Sequence, residues 1–188
     1  MRLWLKALLT IVSGLVLGVV LTWASVRGMP GGVSDGPWHT SLTIGSSEAN
    51  PWQRAAIALH GLFALNRSET IYYTATHDNG GQMLDGNCIY RLKGHEPDAR
   101  WWSITAYGPD DFLMANKQKR YSVSKTGITR NGDGTFTATL SKAGGPGNWI
   151  PIPERHFSLT MRLYNPAPGV VADPANAMVP QIIRVVCP

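Results

Sequence analysis

From Ser68 onward, apolar residues recur at every second position, and that period admits little besides β-strand. In "FSLTMRLY", Phe157, Leu159, Met161 and Leu163 alternate with Ser158, Thr160, Arg162 and Tyr164. Neighbours on a strand face opposite sides of the sheet, so such a run buries one face and leaves the other for solvent or a cover. "TIYYTATHD" (70–78) is rich in β-branched and aromatic residues and stops at the turn signal "NGG". "CIYRLKG" sets Cys88, Tyr90 and Leu92 against Ile89, Arg91 and Lys93. "RWWSITAY" (100–107) ends at "GPDD", "GITRNGDGTFTATLS" reads as a hairpin about "NGDG", and "QIIRVVC" is a further strand. Six or more short strands joined by Gly/Pro turns predict a mainly β fold, an antiparallel β-sandwich of jelly-roll type.

Two helices precede the strands. Asn50 is suited to cap a helix and Pro51 to open it, with Trp52, Ala55, Ala56, Leu59 and Phe63 on one face and an end near Asn66. His60 lies at the edge of that face, where a structural partner is expected rather than catalysis. Upstream, Ala7 to Ala24 is an uncharged run of 18 residues, about 27 Å long as a helix and close to a bilayer's hydrocarbon thickness. Trp4 and Trp23 bracket it at headgroup positions, and Arg2 and Lys6 before it predict a cytoplasmic N-terminus with the remainder exported. The rival is a cleaved signal peptide with "TWA" before Ser25; Thr22 and the length of the run argue against it. Gly14 and Gly18 form a GxxxG through which the helix would pair in a homo-oligomer, although glycine is common in such spans anyway. "VRGMPGGVSDGP" (26–37) reads as a flexible stalk. The predicted organisation is an anchor over 1–27, a linker over 28–48 and a sandwich domain over 49–188.

The net charge of +5 does not point to nucleic acid. Three of the 17 basic residues (Arg2, Lys6, Arg27) belong to the anchor, leaving 14 against 12 acidic ones and no basic stripe. Cys88 and Cys187 in an exported domain predict a disulfide; two buried thiols are the alternative.

Signatures of catalysis such as GxSxG and HExxH are absent, and the five histidines are scattered singly. His77, Asp78, His95 and Glu96, with Asp85, would hold a metal or act as acid and base if they met at one end of the sandwich. Otherwise these residues cap turns through local hydrogen bonds. Alternation makes Trp102 the core residue and leaves Trp101 on a polar, aromatic face with Tyr107. With Trp149, Arg162 and Tyr164 these form a candidate ligand-binding set, suited to sugar rings or apolar ligands; cover by a loop or helix is the competing explanation. Pro151 and Pro153 confine "WIPIP" to an edge or crossing, which places Trp149 at a strand's mouth.

The succession "SETIYYTATHDNGGQMLDGNCIYRLKG" (68–94), "ARWWSITAYGPDDFLMAN" (99–116), "RYSV" (120–123), "DGTFTATLS" (133–141) and "NWIPIP" followed by "FSLTMRLYNP" resembles the bacterial domain-of-unknown-function family 1214. That resemblance implies a β-sandwich, no established activity and no catalytic residues to carry over; separately, no cofactor is expected. Family members often follow a 1254-type domain, so a partner polypeptide carrying that domain is expected. The sequence thus predicts a single-pass bacterial inner-membrane protein displaying a periplasmic domain that binds a glycan, a lipid or a partner protein. A His/Asp/Glu hydrolase and a structural assembly subunit are the alternatives.

Overall fold

The computed structural model describes residues 2–27, 32–59, 64–145 and 147–188. Helix α1 (Arg2–Arg27) is apolar throughout its centre. Its stretch Arg2–Ser25, with a mean hydropathy of 2.2, is long and apolar enough to cross a membrane, and none of it is buried against the rest of the chain. A membrane anchor and a signal sequence both satisfy that description.

Ten strands among the described residues form two sheets. They are β1 (Gly32–Asp35), β2 (Trp38–Ser41), β3 (Thr70–Ala75), β4 (Ile89–His95), β5 (Ala99–Tyr107), β6 (Ser122–Ser124), β7 (Thr135–Ser141), β8 (Asn148–Pro151), β9 (Ser158–Pro166) and β10 (Gln181–Val186). The large sheet runs β1-β2-β3-β9-β5-β6 and the small one β10-β4-β7-β8. All pairings are antiparallel except β7 with β8. The predicted hairpin about "NGDG" keeps only its second arm as a strand; the first is reduced to one bridge, Arg130 to Phe136.

The alternation places the core as the sequence implies. Tyr73, Ala75, Trp102, Ile104, Leu159, Met161 and Leu163 of the large sheet meet Tyr90, Leu92, Phe136, Ala138 and Leu140 of the small one. Trp102 is fully buried, stacks on Phe136 at 5.0 Å between ring centres and donates its indole N–H to Glu96 Oε2 at 3.2 Å. The disulfide Cys88–Cys187 ties β4 to the segment after β10, as an oxidising compartment would favour. β8 is an edge strand, so Pro151 removes no central ladder donor.

One boundary is corrected. The segment predicted as a linker over 28–48 holds the β1–β2 hairpin, paired throughout from Gly32 with Ser41 to Asp35 with Trp38. Trp38 is fully buried and donates its indole N–H to Pro180 O at 2.7 Å. The sandwich therefore begins at Gly32. Gly36, at φ +56°, and Pro37 serve the tight turn between β1 and β2, and the rest of the expected stalk, 28–31, lies outside the described residues.

Candidate functional site

The outer face of the large sheet carries the side chains that the core does not use. Register sets them in rows across β3, β9 and β5: Thr70–Tyr164–Trp101, Tyr72–Arg162–Ser103 and Thr74–Thr160–Thr105, with Ser158 opposite Tyr107. Helix α2 (Pro51–Leu59) and the turn before it lie over part of this floor.

The sequence builds that roof locally. Asn50 Oδ1 accepts the N–H of Gln53 at 2.9 Å, and Gln53 Oε1 accepts the N–H of Asn50 at 3.0 Å, a reciprocal cap. Arg54 staples the helix to the preceding turn by donating to Ala49 O and Ser47 O. Gly45, at φ +68°, passes so near Leu65 that a Cβ would lie 2.1 Å from its carbonyl oxygen. The N–H of Leu65 donates in turn to Tyr72 Oη at 3.1 Å, fastening roof to floor.

Between them lies a chamber of about 440 Å³, within the range of small-molecule sites. Ile44 and Ile57 line it from above, and Tyr72, Thr74, Thr160 and Arg162 from below. Gly32 and His39 stand at one side, Tyr107 and Asp111 at another. Arg162 donates from Nη2 to Tyr107 Oη at 2.9 Å, and its guanidinium carbon lies 5.5 Å from that ring's centre. Among the described residues Arg162 forms no ion pair. His39 Nδ1 lies 2.7 Å from Ser34 Oγ. The arrangement presents a guanidinium and several hydroxyls inside a largely apolar enclosure, which suits the head of an amphipathic molecule.

The predicted ligand-binding residues are partly brought together. Tyr107 and Arg162 line the chamber. Trp101 and Tyr164 share its face but pack on each other, with rings 5.3 Å apart, one row beyond the Arg162 row. Trp149 is separated from all four. It lies on β8 at the edge of the small sheet, with its indole N–H donating to Ser141 O and Oγ, both at 3.1 Å.

The predicted metal or acid–base set is not assembled. Asp78 is buried, accepts the N–H of Gly80 at 2.9 Å and of Gln82 at 3.0 Å, and pairs with Arg184. His77 Nδ1 meets only the neighbouring Thr76 hydroxyl at 2.9 Å. Glu96 takes Arg130 and the Trp102 indole, and Asp85 pairs with Arg155. Arg184 faces Tyr90 at the start of β4 while His95 ends that strand; five residues of strand separate them by about 16 Å. Among the described residues no three of His, Cys, Asp or Glu are grouped as a metal would need. Asp78 and Asp85 cap local turns through the N–H groups of Gly80, Gln82 and Asn87, while Glu96 joins Arg130 and Trp102 instead.

His39, Tyr72, Asp111 and Ile57 escaped the sequence reading as members of a site. Only Tyr72 carried a signal, as the outward aromatic of β3, and its link to Arg162 needs the pairing of β3 with β9 across 89 intervening positions. The expected helix face also differs. Ala56 is buried and Ile57 meets the chamber, whereas Trp52 is 46% and Leu59 75% exposed. The predicted continuation through His60 and Phe63 lies outside the described residues.

Fold and site together define a β-sandwich domain with a roofed chamber on the outside of its larger sheet. The chain belongs to the family described as Protein of unknown function (DUF1214), whose match covers residues 69–168. That span includes the floor of the chamber, while β1, β2 and α2, which flank and roof it, precede it. Among solved structures, the VPA0106 protein from Vibrio parahaemolyticus is similar, with 27% identity and a TM-score of 0.62 over 72% of this chain and 35% of that one. An uncharacterised protein from Burkholderia cenocepacia matches at 17% identity and a TM-score of 0.40, over 62% of this chain and 29% of that one. This chain thus spans about a third of each. No curated protein matches it in sequence.

Proposed function

We propose that the protein holds an amphipathic molecule of the bacterial cell envelope, a lipid or lipid-like compound with an anionic head, in the chamber under α2. The observation that carries this reading is the guanidinium of Arg162, hydrogen-bonded to Tyr107, on the floor of a chamber lined by Ile44, Ile57, Tyr72 and hydroxyl side chains, with His39 and the single carboxylate of Asp111 at its sides. A charged donor on a rigid strand orients a head group, and apolar walls receive the remainder. The reading includes display in the periplasm from an inner-membrane anchor, supported by Arg2 and Lys6 in the first turns of α1, ahead of its uncharged stretch, and by the disulfide. It also includes a partner polypeptide supplying what lies outside the match in the longer Vibrio protein.

Native mass spectrometry of the full chain, released from detergent after purification from membranes, tests the ligand. Small-molecule adducts are expected on the natural protein and are lost with Arg162→Ala and with Ile57→Trp, which fills the chamber. Absence of adducts, or equal adducts on all three proteins, counts against the reading. A reporter fused after Pro188 that is active only when exported tests the orientation.

A further inference from the structure

The rim of the chamber carries apolar side chains that the sandwich does not use. On α2, Trp52 and Leu59 point away from the domain although Ile57 between them lines the chamber. On the loop after β5, Phe112 is 73% and Leu113 48% exposed. They directly follow Asp111, a lining residue, and Leu113 bridges to Tyr107, another. Lys117 and Lys119 stand exposed farther along the same loop, with Asp110 and Asp111 as opposing charges near its start. Two exposed apolar ridges thus adjoin one opening.

The chain also fixes where this opening stands. Gly32 lines the chamber, and only residues 28–31 separate it from Arg27, the last residue of α1. Five Cα–Cα steps reach at most about 19 Å. In addition, backbone of α2 comes within 8 Å of α1, Cα to Cα. If α1 crosses a bilayer, one wall of the chamber cannot be far from that bilayer's surface.

We propose that the rim formed by Trp52 and Leu59 of α2 and by Phe112 and Leu113 rests in the bilayer that α1 spans, so that the chamber opens onto lipid. The occupant of this surface is an anionic phospholipid membrane. Amphipathic aromatic and leucine side chains settle at the headgroup–acyl boundary, and nearby lysines favour anionic lipid. A ligand would then pass from the leaflet into the chamber without crossing water. The inference rests on the chamber reading for its purpose, but the docking can be observed independently of any ligand.

The test uses the full chain in nanodiscs of phosphatidylcholine and phosphatidylglycerol. Single cysteines replace Leu59, Phe112 and, as a control, Arg91, which is exposed on the small sheet. The native cysteines are paired in the disulfide, so each added thiol takes a nitroxide selectively. Power saturation is expected to show positions 59 and 112 favouring oxygen over a water-soluble nickel complex, and position 91 the reverse. The same accessibility at all three positions would overturn the docking. Where a variant fails to fold, hydrogen exchange of 51–59 and 108–114 in the unsubstituted chain replaces it: slower exchange in nanodiscs than in detergent supports docking, and equal exchange overturns it. Adducts that vanish with Arg162→Ala while the labels stay aqueous would remove the docking alone. Lipid-embedded labels on a protein without adducts would remove the ligand reading alone.

Discussion

Arg162 and Tyr107 form a unit: Nη2 donates to the tyrosine hydroxyl at 2.9 Å while the guanidinium carbon lies 5.5 Å from the same ring. The tyrosine therefore positions the arginine and still leaves it donors for a ligand. Arg162→Lys keeps the charge but loses the planar fork, and is expected to weaken retention of a bound anionic head by about 10-fold or more, the scale of one charge-assisted hydrogen bond. Tyr107→Phe keeps the ring and frees a donor, so retention should change much less. The fraction of protein carrying adducts in native spectra of the two variants measures the difference.

Asp78 and Arg184 make the buried counterpart of that pair, with Nε and Oδ2 2.9 Å apart and the aspartate side chain only 3% exposed. The backbone N–H groups of Gly80, in the "NGG" turn, and of Gln82, just after it, also converge on the aspartate. Asp78→Asn should cost about 2–4 kcal/mol, because it leaves Arg184 partly buried without its partner and weakens both turn bonds. Asp85→Asn should stay close to the parent, since its partner Arg155 is 72% exposed and 3.4 Å away. Urea unfolding of the two variants gives the comparison. Equal losses would contradict the structural role assigned to Asp78.

These residues also show what the sequence could and could not reveal. Strand alternation separated Trp102, fully buried, from Trp101 beside it, because the face of a strand is decided by the nearest neighbours alone. Tyr72 and Arg162 became neighbours only through the pairing of β3 with β9, and no local pattern encodes which distant strand lies adjacent. Asp78 illustrates the opposite difficulty. A carboxylate beside a histidine suggests chemistry when its surroundings are unknown, and the turn at Gly80 and Gln82 together with Arg184 accounts for it fully. In α2 the helical period is visible in the sequence, but an apolar stripe does not say which face meets the protein. Trp52 and Leu59 face outward because the helix roofs a chamber instead of sealing the core.

Glu96 gives the fold an acid-sensitive contact. Its hydrogen bond to Arg130, assisted by the indole N–H of Trp102, holds its carboxyl below the usual glutamate range, against the opposing effect of burial. A carboxyl depressed in the folded state contributes stability above its unfolded pKa and loses it as pH falls through the folded one. Stability should therefore decline on acidification below about pH 4.5. Asp85 and Asp133 are also depressed, by backbone and hydroxyl donors around Asn87 and Thr135, and titrate in the same direction. Glu96→Gln isolates one contribution: its stability near neutrality should be lower and its acid slope shallower than the parent's. Denaturant unfolding from pH 3 to 7 reads both, and parallel curves would exclude Glu96 as a source of the slope.

The disulfide acts on a strand that is already held by other means. β10 pairs with β4, Asn79 exchanges two hydrogen bonds with Ile182 at 3.0 and 2.6 Å, and Trp38 bonds to Pro180. Breaking Cys88–Cys187 should therefore leave β10 in place and act mainly on the unfolded chain. The cysteines lie 99 residues apart, and closing a loop of about 100 residues corresponds to at most about 4.7 kcal/mol of chain entropy. Cys88→Ser with Cys187→Ser should lower the urea midpoint and raise the m-value, because an unlinked denatured chain expands and exposes more surface. Were the bond instead needed to hold the strand, the native state would loosen, less surface would remain to be exposed, and m would fall. The sign of the change in m, compared between oxidised parent and double variant, decides between the two.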